Sequence, residues 1–513
     1  MKINLVEVSV FVLLFLLVTV LGFLASRWNK ADLSLLDEWG LGGRKFGTII
    51  SWFLLGGDLY TAYTFIAVPA LVFGSGAIGL FAIPYTIIVY PIVYVVMPKL
   101  WEVASSRGFV TASDYVKERF DSRWLALAIA ITGIVATMPY IALQIFGIEV
   151  VISQMGIPVE ISLIIAFLIL AVFTYVSGLR APALIAVVKD TLIIITILVA
   201  IVVIPMHLGG FSNIFSKVPL KKQNLPPALF GGYATLALGS ALALFMYPHA
   251  ITGVFSSRSQ RVIKRNAALM PIYTLVLGLI ALLGYMAIAS GIHPTKPYLA
   301  NGVIPSLLSK SFPAPFVGFA FAAIAIGALV PASIMSIAAA NLFSRNVWKD
   351  FLRPNASGAE QSKVAKITSL LVKVGALAFI LGAPTTYVIN FQLAGGVWAL
   401  QTIPAIVLAL YVGWLDKRAV LLGWFVAVVY GTYVIIGLKF KSSLSTIPFF
   451  GPHSPKLYVG IIALVINLVI VFGFSFLAKA LGLNQGEQLL PKPGVEKISD
   501  ESPSLIQGLG PID

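Results

Sequence analysis

Residues 52–64 read Trp52-Phe-Leu-Leu-Gly-Gly-Asp58-Leu-Tyr-Thr61-Ala-Tyr-Thr64. An acid and two adjacent glycines stand inside a run that is otherwise apolar from about residue 47 to residue 74. A helix needs roughly 20 apolar residues to cross a hydrocarbon core, and this run is long enough. Gly56-Gly57 permits two readings. The glycines allow a second helix to pack closely, or they break a spanning helix and so bare carbonyls for a cation and amides for an anion. An ionisable residue at membrane depth marks function more often than packing, so a broken helix is the expectation.

The rest of the chain supports a membrane setting. Of its 513 residues 59% are hydrophobic and 11% charged, with a mean hydropathy of +0.97, where a soluble chain carries about a quarter charged residues. Apolar runs fall near residues 4–26, 47–74, 77–99, 124–155, 158–178, 182–206, 230–256, 266–291, 314–343, 365–383, 386–414, 418–438 and 457–482. No run alternates like an outer-membrane strand, and a helix satisfies its own backbone in lipid. The fold class expected is therefore an all-α polytopic membrane protein of about thirteen spans. Residues 1–484 are expected to form one transmembrane domain with its core at about 47–414, and 485–513 a disordered cytoplasmic tail rich in Pro, Gly, Ser and charge. The first run has only Lys2 ahead of it and Arg27 and Lys30 behind, the wrong flank for a cleaved signal.

The net charge of +15 does not point to nucleic acid. Most of the 35 basic residues fall in the loops of one face, among them Arg44, Lys45, Arg107, Arg119, Arg258, Arg261, Lys264, Arg265, Arg345 and Arg353. The other face holds Lys2, Lys217, Lys221, Lys222, Lys296, Lys310, Lys439, Lys441 and Lys456. The positive-inside rule then predicts an inner-membrane protein with its N-terminus outside and its C-terminus in the cytoplasm. There is no cysteine, and the four histidines are scattered, so thiolate chemistry is excluded and no metal cluster is expected. A P-loop and a metalloprotease motif are both missing, so the chain is not expected to be an enzyme and needs no cofactor. A channel would call for a repeated filter-like motif, and none is visible.

Polar groups enter the spans at few places. Lys189-Asp190 lie in the sixth span, with Lys189 roughly 13 Å from Arg180 at 1.5 Å per residue; they form either a structural ion pair with other helices or a coupling site. Adjacent residues point about 100° apart and need not pair with each other. Lys373 stands two turns from Lys366 and is expected to snorkel to the cytoplasmic surface. The seventh span carries Tyr247-Pro248-His249, where proline kinks the helix and frees a carbonyl. The fourth has Tyr140 and Gln144 on one face. The ninth has Ser333, Ser336 and Asn341, and the eleventh Gln392, Gly395-Gly396 and Gln401-Thr402. These serve equally as packing groups or as a polar lining.

With Leu41-Gly-Gly-Arg44-Lys-Phe-Gly47 and Thr137-Met-Pro-Tyr-Ile-Ala-Leu-Gln144, the stretch at 52–64 resembles the sodium/solute symporter superfamily over about residues 5–480, within it the bacterial monocarboxylate permease type. The resemblance implies a LeuT-like core of two inverted five-helix repeats, one extra helix before it and two after it. It implies a symporter working by alternating access on a small carboxylate such as lactate, pyruvate, acetate or alanine, with proline, a sugar or a vitamin acid as the alternative. Substrate would meet Thr61, Tyr140, Gln144, Tyr247 and His249. A sodium would meet the carbonyls of Gly57 and Tyr60, next to Asp58, with Ser333 and Ser336 from the ninth span. Two departures stand out: Ile337 takes a position usually held by a hydroxyl and cannot ligate a hard cation, and Lys189 stands beside Asp190 where the family usually has Thr-Asp. An ammonium in the ion's place favours H+ over Na+ as the coupling ion, since a buried lysine gives up its proton readily.

Overall fold

The computed structural model describes residues 3–27, 32, 34–57, 59–447, 454–483 and 489–491. Among them, eleven helices are long and apolar enough to cross a membrane. We label the helices that frame the argument α1 (Leu5–Arg27), α2 (Thr48–Gly56), α3 (Val68–Ser75), α4 (Ala82–Arg107), α5 (Arg123–Gln154), α6 (Val159–Ser177), α7 (Arg180–His207), α8 (Phe230–Leu244), α9 (Pro248–Phe255), α10 (Pro271–Ala289), α11 (Ala314–Phe343), α12 (Gly358–Gly382), α13 (Ile389–Ala399), α14 (Lys417–Gly437) and α15 (Val459–Ala480). All thirteen apolar runs are helical, two of them as broken pairs: α2 with α3, and α8 with α9.

The breaks follow from local chemistry. Helix α2 ends at Gly56, and helical backbone resumes as a π turn at Tyr63–Ala67 before α3. Between them the Thr61 hydroxyl accepts from the Tyr63 amide at 3.0 Å, the Gln144 side-chain oxygen accepts from the Ala62 amide at 3.0 Å, and the Thr64 hydroxyl donates to the Leu59 carbonyl. Side chains thus satisfy backbone groups that no helix claims. In the seventh run the chain unwinds at 245–247 and Pro248 becomes the first residue of α9, where its missing N–H costs nothing. The proline alone predicts a kink here, while the family resemblance implies a broken seventh helix; the structure has a complete break. The eleventh run is not one continuous helix either, since after α13 it passes through two 3-10 turns and a short α segment as far as Leu410. Its polar residues are structural: Gln401 donates to the Val397 and Gly460 carbonyls, and Asn467 of α15 donates to the Gln401 carbonyl.

Helix α11 runs through the centre, buried along nearly its whole length, and packs against α5, α1, α7 and α12. The ends of the bundle are tied by polar contacts. Phe46 bridges in parallel to Ser257, its amide donating to the Ser256 carbonyl at 3.1 Å while the Arg258 amide donates to the Phe46 carbonyl at 3.0 Å. With Ser51 and Ser257 hydroxyls 3.3 Å apart, these contacts hold α2 and α9 together at one membrane face. On the opposite face the Asn301 amide group donates to the Thr385 and Thr386 carbonyls at 2.5 and 3.3 Å, fastening the 292–302 loop to the start of the eleventh run.

Two expectations are corrected or bounded. Lys373 does not snorkel: it is wholly buried and its ammonium donates to the Ser369 carbonyl, one turn back on α12, at 2.8 Å. Its distance from the surface along the axis is short, but α5 and α11 pack over that face of α12. Of the tail, residues 489–491 are described, and the Leu490 carbonyl accepts from the Arg107 guanidinium at 2.9 and 2.7 Å; the rest of 485–513 lies outside the described residues, as does Asp58.

Candidate functional site

The break between α2 and α3 faces α7. Lys189, with no exposed surface, extends its ammonium to the Gly57 carbonyl at 2.6 Å and the Tyr60 carbonyl at 3.0 Å. These are the two carbonyls that the resemblance assigns to a sodium. Lys189 and Asp190 also pair with each other, Nζ to Oδ1 at 2.8 Å, although their Cβ directions diverge around the helix. The long lysine stem spans that divergence. The second Asp190 oxygen accepts from the Tyr273 hydroxyl at 2.6 Å, and the Tyr273 carbonyl accepts from the Tyr60 hydroxyl at 3.2 Å. Tyr60 and Tyr273 rings lie 4.5 Å apart. One buried cation, one buried anion and two tyrosines thus join α7 and α10 to the broken helix. A buried ion pair needs further hydrogen bonds to both partners; here the two carbonyls serve Lys189 and the Tyr273 hydroxyl serves one oxygen of Asp190, whose other oxygen has only the lysine.

Ser333 and Ser336 sit on α11, fully buried. Ser336 donates to the Ala332 carbonyl at 2.7 Å; Ser333 donates to the Leu329 carbonyl at 3.0 Å and accepts from Thr174 of α6 at 3.1 Å. Both hydroxyls bond back into their own helix, the common state of serine at membrane depth, and neither reaches Lys189 by a hydrogen bond. Ile337 beside them is buried and apolar.

Tyr140, Tyr247 and His249 come together, with ring centroids 5.3 Å apart for Tyr140–Tyr247, 5.6 Å for Tyr140–His249 and 5.3 Å for Tyr247–His249. The Tyr247 hydroxyl donates to the Gln392 carbonyl at 2.7 Å, which ties the second break to α13. Gln144, one turn from Tyr140, spends its oxygen on the Ala62 amide while its NH2 group has no hydrogen-bond partner among the described residues. Thr61 caps the break. The five residues assigned to substrate therefore surround the two unwound segments, three as an aromatic and imidazole cluster and two on the first break. Asp58 lies outside the described residues.

Three polar residues were missed. Tyr273 gave no local signal, since it meets Asp190 only through tertiary packing. Trp101, whose indole donates to the Ser257 carbonyl at 2.8 Å and braces the α2–α9 joint, gave none either. Glu149 was legible as a lone acid in an apolar run; it is buried near the end of α5 and accepts from the Tyr298 hydroxyl of the 292–302 loop at 3.0 Å.

Two interrupted helices, one of them with a buried charge at its break, within a nearly all-helical bundle are the construction of a solute carrier. The chain belongs to the sodium:solute symporter family, whose model matches residues 39–429. It is 52% identical over 480 residues to a monocarboxylate transport permease protein of Rhizobium johnstonii, covering 91% of this chain and 96% of that protein. It is 37% identical to an uncharacterized symporter of Bacillus subtilis, covering 82% and 86% of the two chains. The structure resembles that of a Na+-coupled sialic acid symporter with a TM-score of 0.74 at 16% identity, over 93% of this chain and 98% of that one. The fold is accordingly the LeuT-like one expected.

Proposed function

We propose that this protein takes up small monocarboxylates by alternating access across the cell membrane, and that the Lys189 ammonium stands where a coupling sodium would bind. The observation that carries the coupling half is the pair of contacts from Lys189 to the Gly57 and Tyr60 carbonyls. A protonated lysine there supplies the positive charge and the donors that the broken helix needs. A proton carried through this site would make and break those two contacts, and with them the tie between the broken helix and α7. The direction follows from the chemistry: an inward proton gradient drives uptake.

The substrate half is supported by the 52% identity to the Rhizobium permease, by that protein's name, and by the donors around the breaks. The unengaged Gln144 NH2 group and the Tyr140–Tyr247–His249 cluster suit a short anion with little apolar bulk. A sodium-coupled cycle is the second reading, favoured by the family and by the Na+-coupled sialic acid symporter. We place the N-terminus outside and the C-terminus in the cytoplasm on the loop charges. The test is uptake of labelled lactate, pyruvate and acetate into sodium-free proteoliposomes, with unlabelled proline and sugars as competitors. Accumulation of at least one acid, blocked by the other acids and untouched by proline or sugar, is the expected result. No uptake without sodium but uptake once sodium is supplied overturns the coupling half, and no uptake of any of the three under either a sodium or a pH gradient discards the substrate class.

A further inference from the structure

Beside the joint that holds α2 to α9 lies a pocket of about 110 Å³ lined by Thr48, Arg258, Arg261, Val262 and Arg265. Three guanidinium side chains thus line one small cavity, and none of its lining among the described residues is acidic. The fold converges them: the Arg258 amide is pinned to the Phe46 carbonyl at 3.0 Å, and Arg261 and Arg265 stand one turn apart on the Gln260–Leu269 helix, on one face. Thr48 is the first residue of α2, and the residue ahead of it, Gly47, offers no capping side chain, so the first amides of that helix add positive potential. The pocket also lies at the edge of the apolar belt, because Ile49, Leu269 and Ile272 next to it are about half exposed, at 52%, 47% and 56%. Guanidinium groups match two oxygens of a phosphate in paired hydrogen bonds, which neither a chloride ion nor a lone carbonyl can accept in that way.

We propose that this pocket binds a phosphate group, presented by the headgroup of an anionic phospholipid. Its chains would lie along Ile49 and Ile272 while the phosphate bridges the arginines and the start of α2, tying α2 to the segment that follows α9. The substrate site plays no part in this proposal, which stands independently of it.

The test follows the thermal unfolding of the purified full-length protein in detergent, on addition of phosphatidylglycerol, phosphatidylcholine or inorganic phosphate at matched ionic strength. The variants are Arg261→Ala combined with Arg265→Ala, both exposed side chains, and Lys264→Ala, which removes a charge from the same helix but lies over the Tyr94 ring outside the pocket. Phosphatidylglycerol is expected to raise the unfolding temperature of the wild type and of Lys264→Ala, with the shift lost in the double variant and weakened by salt. Phosphatidylcholine should have no such effect. An equal shift in the double variant, or an equal loss in Lys264→Ala, overturns the site. A full shift from inorganic phosphate alone overturns the lipid headgroup as its source.

Discussion

Replacing Lys189 by Met keeps the length of the side chain and removes the ammonium that touches the Gly57 carbonyl at 2.6 Å, the Tyr60 carbonyl at 3.0 Å and Asp190 at 2.8 Å. Asp190 is left fully buried with Tyr273 as its remaining donor. Breaking a buried ion pair by deleting one partner costs about 3–5 kcal/mol, most of it the uncompensated charge that remains. Combining Lys189→Met with Asp190→Asn removes that charge as well, while the Asn oxygen still accepts from Tyr273. The double variant should therefore be more stable than Lys189→Met alone by about 2 kcal/mol, a coupling within the range that neighbours in one network show. The assay is thermal unfolding of the two single variants, the double variant and Lys363→Met as an exposed control, whose change should stay within about 0.5 kcal/mol. Additive losses in the double variant, or a Lys189→Met protein as stable as the control, would refute the buried network as the brace of the broken helix.

Three further outcomes are expected. Tyr273→Phe removes the hydroxyl that donates to Asp190 at 2.6 Å and should cost about 1.5–3 kcal/mol in unfolding, the range for hydrogen bonds to charged groups; a loss no larger than that of an exposed Tyr→Phe change contradicts it. Gly284→Ala places a Cβ 2.5 Å from the Pro69 carbonyl and 3.0 Å from the Phe73 amide, so α10 must back away from α3 at a cost of about 1–3 kcal/mol, read in the same assay; an unchanged protein means those helices are looser than described. Because the chain has no cysteine, single cysteines report orientation directly: a membrane-impermeant maleimide on intact cells should label Thr295→Cys, on an exposed loop that the proposed orientation puts outside, and leave Asn355→Cys, exposed between α11 and α12, unlabelled. The reverse pattern inverts the topology.

How much of this was legible in the sequence depends on the range of the interaction concerned. The spans were readable because lipid enforces long apolar runs. The break at Gly56-Gly57 was readable because two glycines beside an acid have few uses in lipid. The clustering of Tyr140, Tyr247 and His249 was anticipated through the family resemblance, and so was the approach of Lys189 to the Gly57 and Tyr60 carbonyls; no pattern along the chain places residues 57 and 189 together. The pairing of Asp190 with Tyr273 was invisible for the same reason, since nothing near Tyr273 marks it as more than one aromatic in an apolar helix. Lys373 was misjudged because distance along a helix axis says how far an amine must reach and not whether neighbouring helices cover its route. The turning inward of the Ser333 and Ser336 hydroxyls is a rotamer choice, which spacing does not encode.

The central claim is that a lysine has taken the place of the coupling sodium, and it is tested most directly by following the proton itself. Purified protein is reconstituted in sodium-free liposomes that trap a pH-sensitive dye, and lactate is added outside. The account predicts rapid internal acidification beyond that of protein-free liposomes, unaffected by sodium. It predicts that Lys189→Thr combined with Ile337→Ser abolishes the sodium-free signal and makes lactate uptake respond to sodium. Acidification no faster than in protein-free liposomes, with lactate uptake by the wild type appearing only when sodium is supplied, would contradict it.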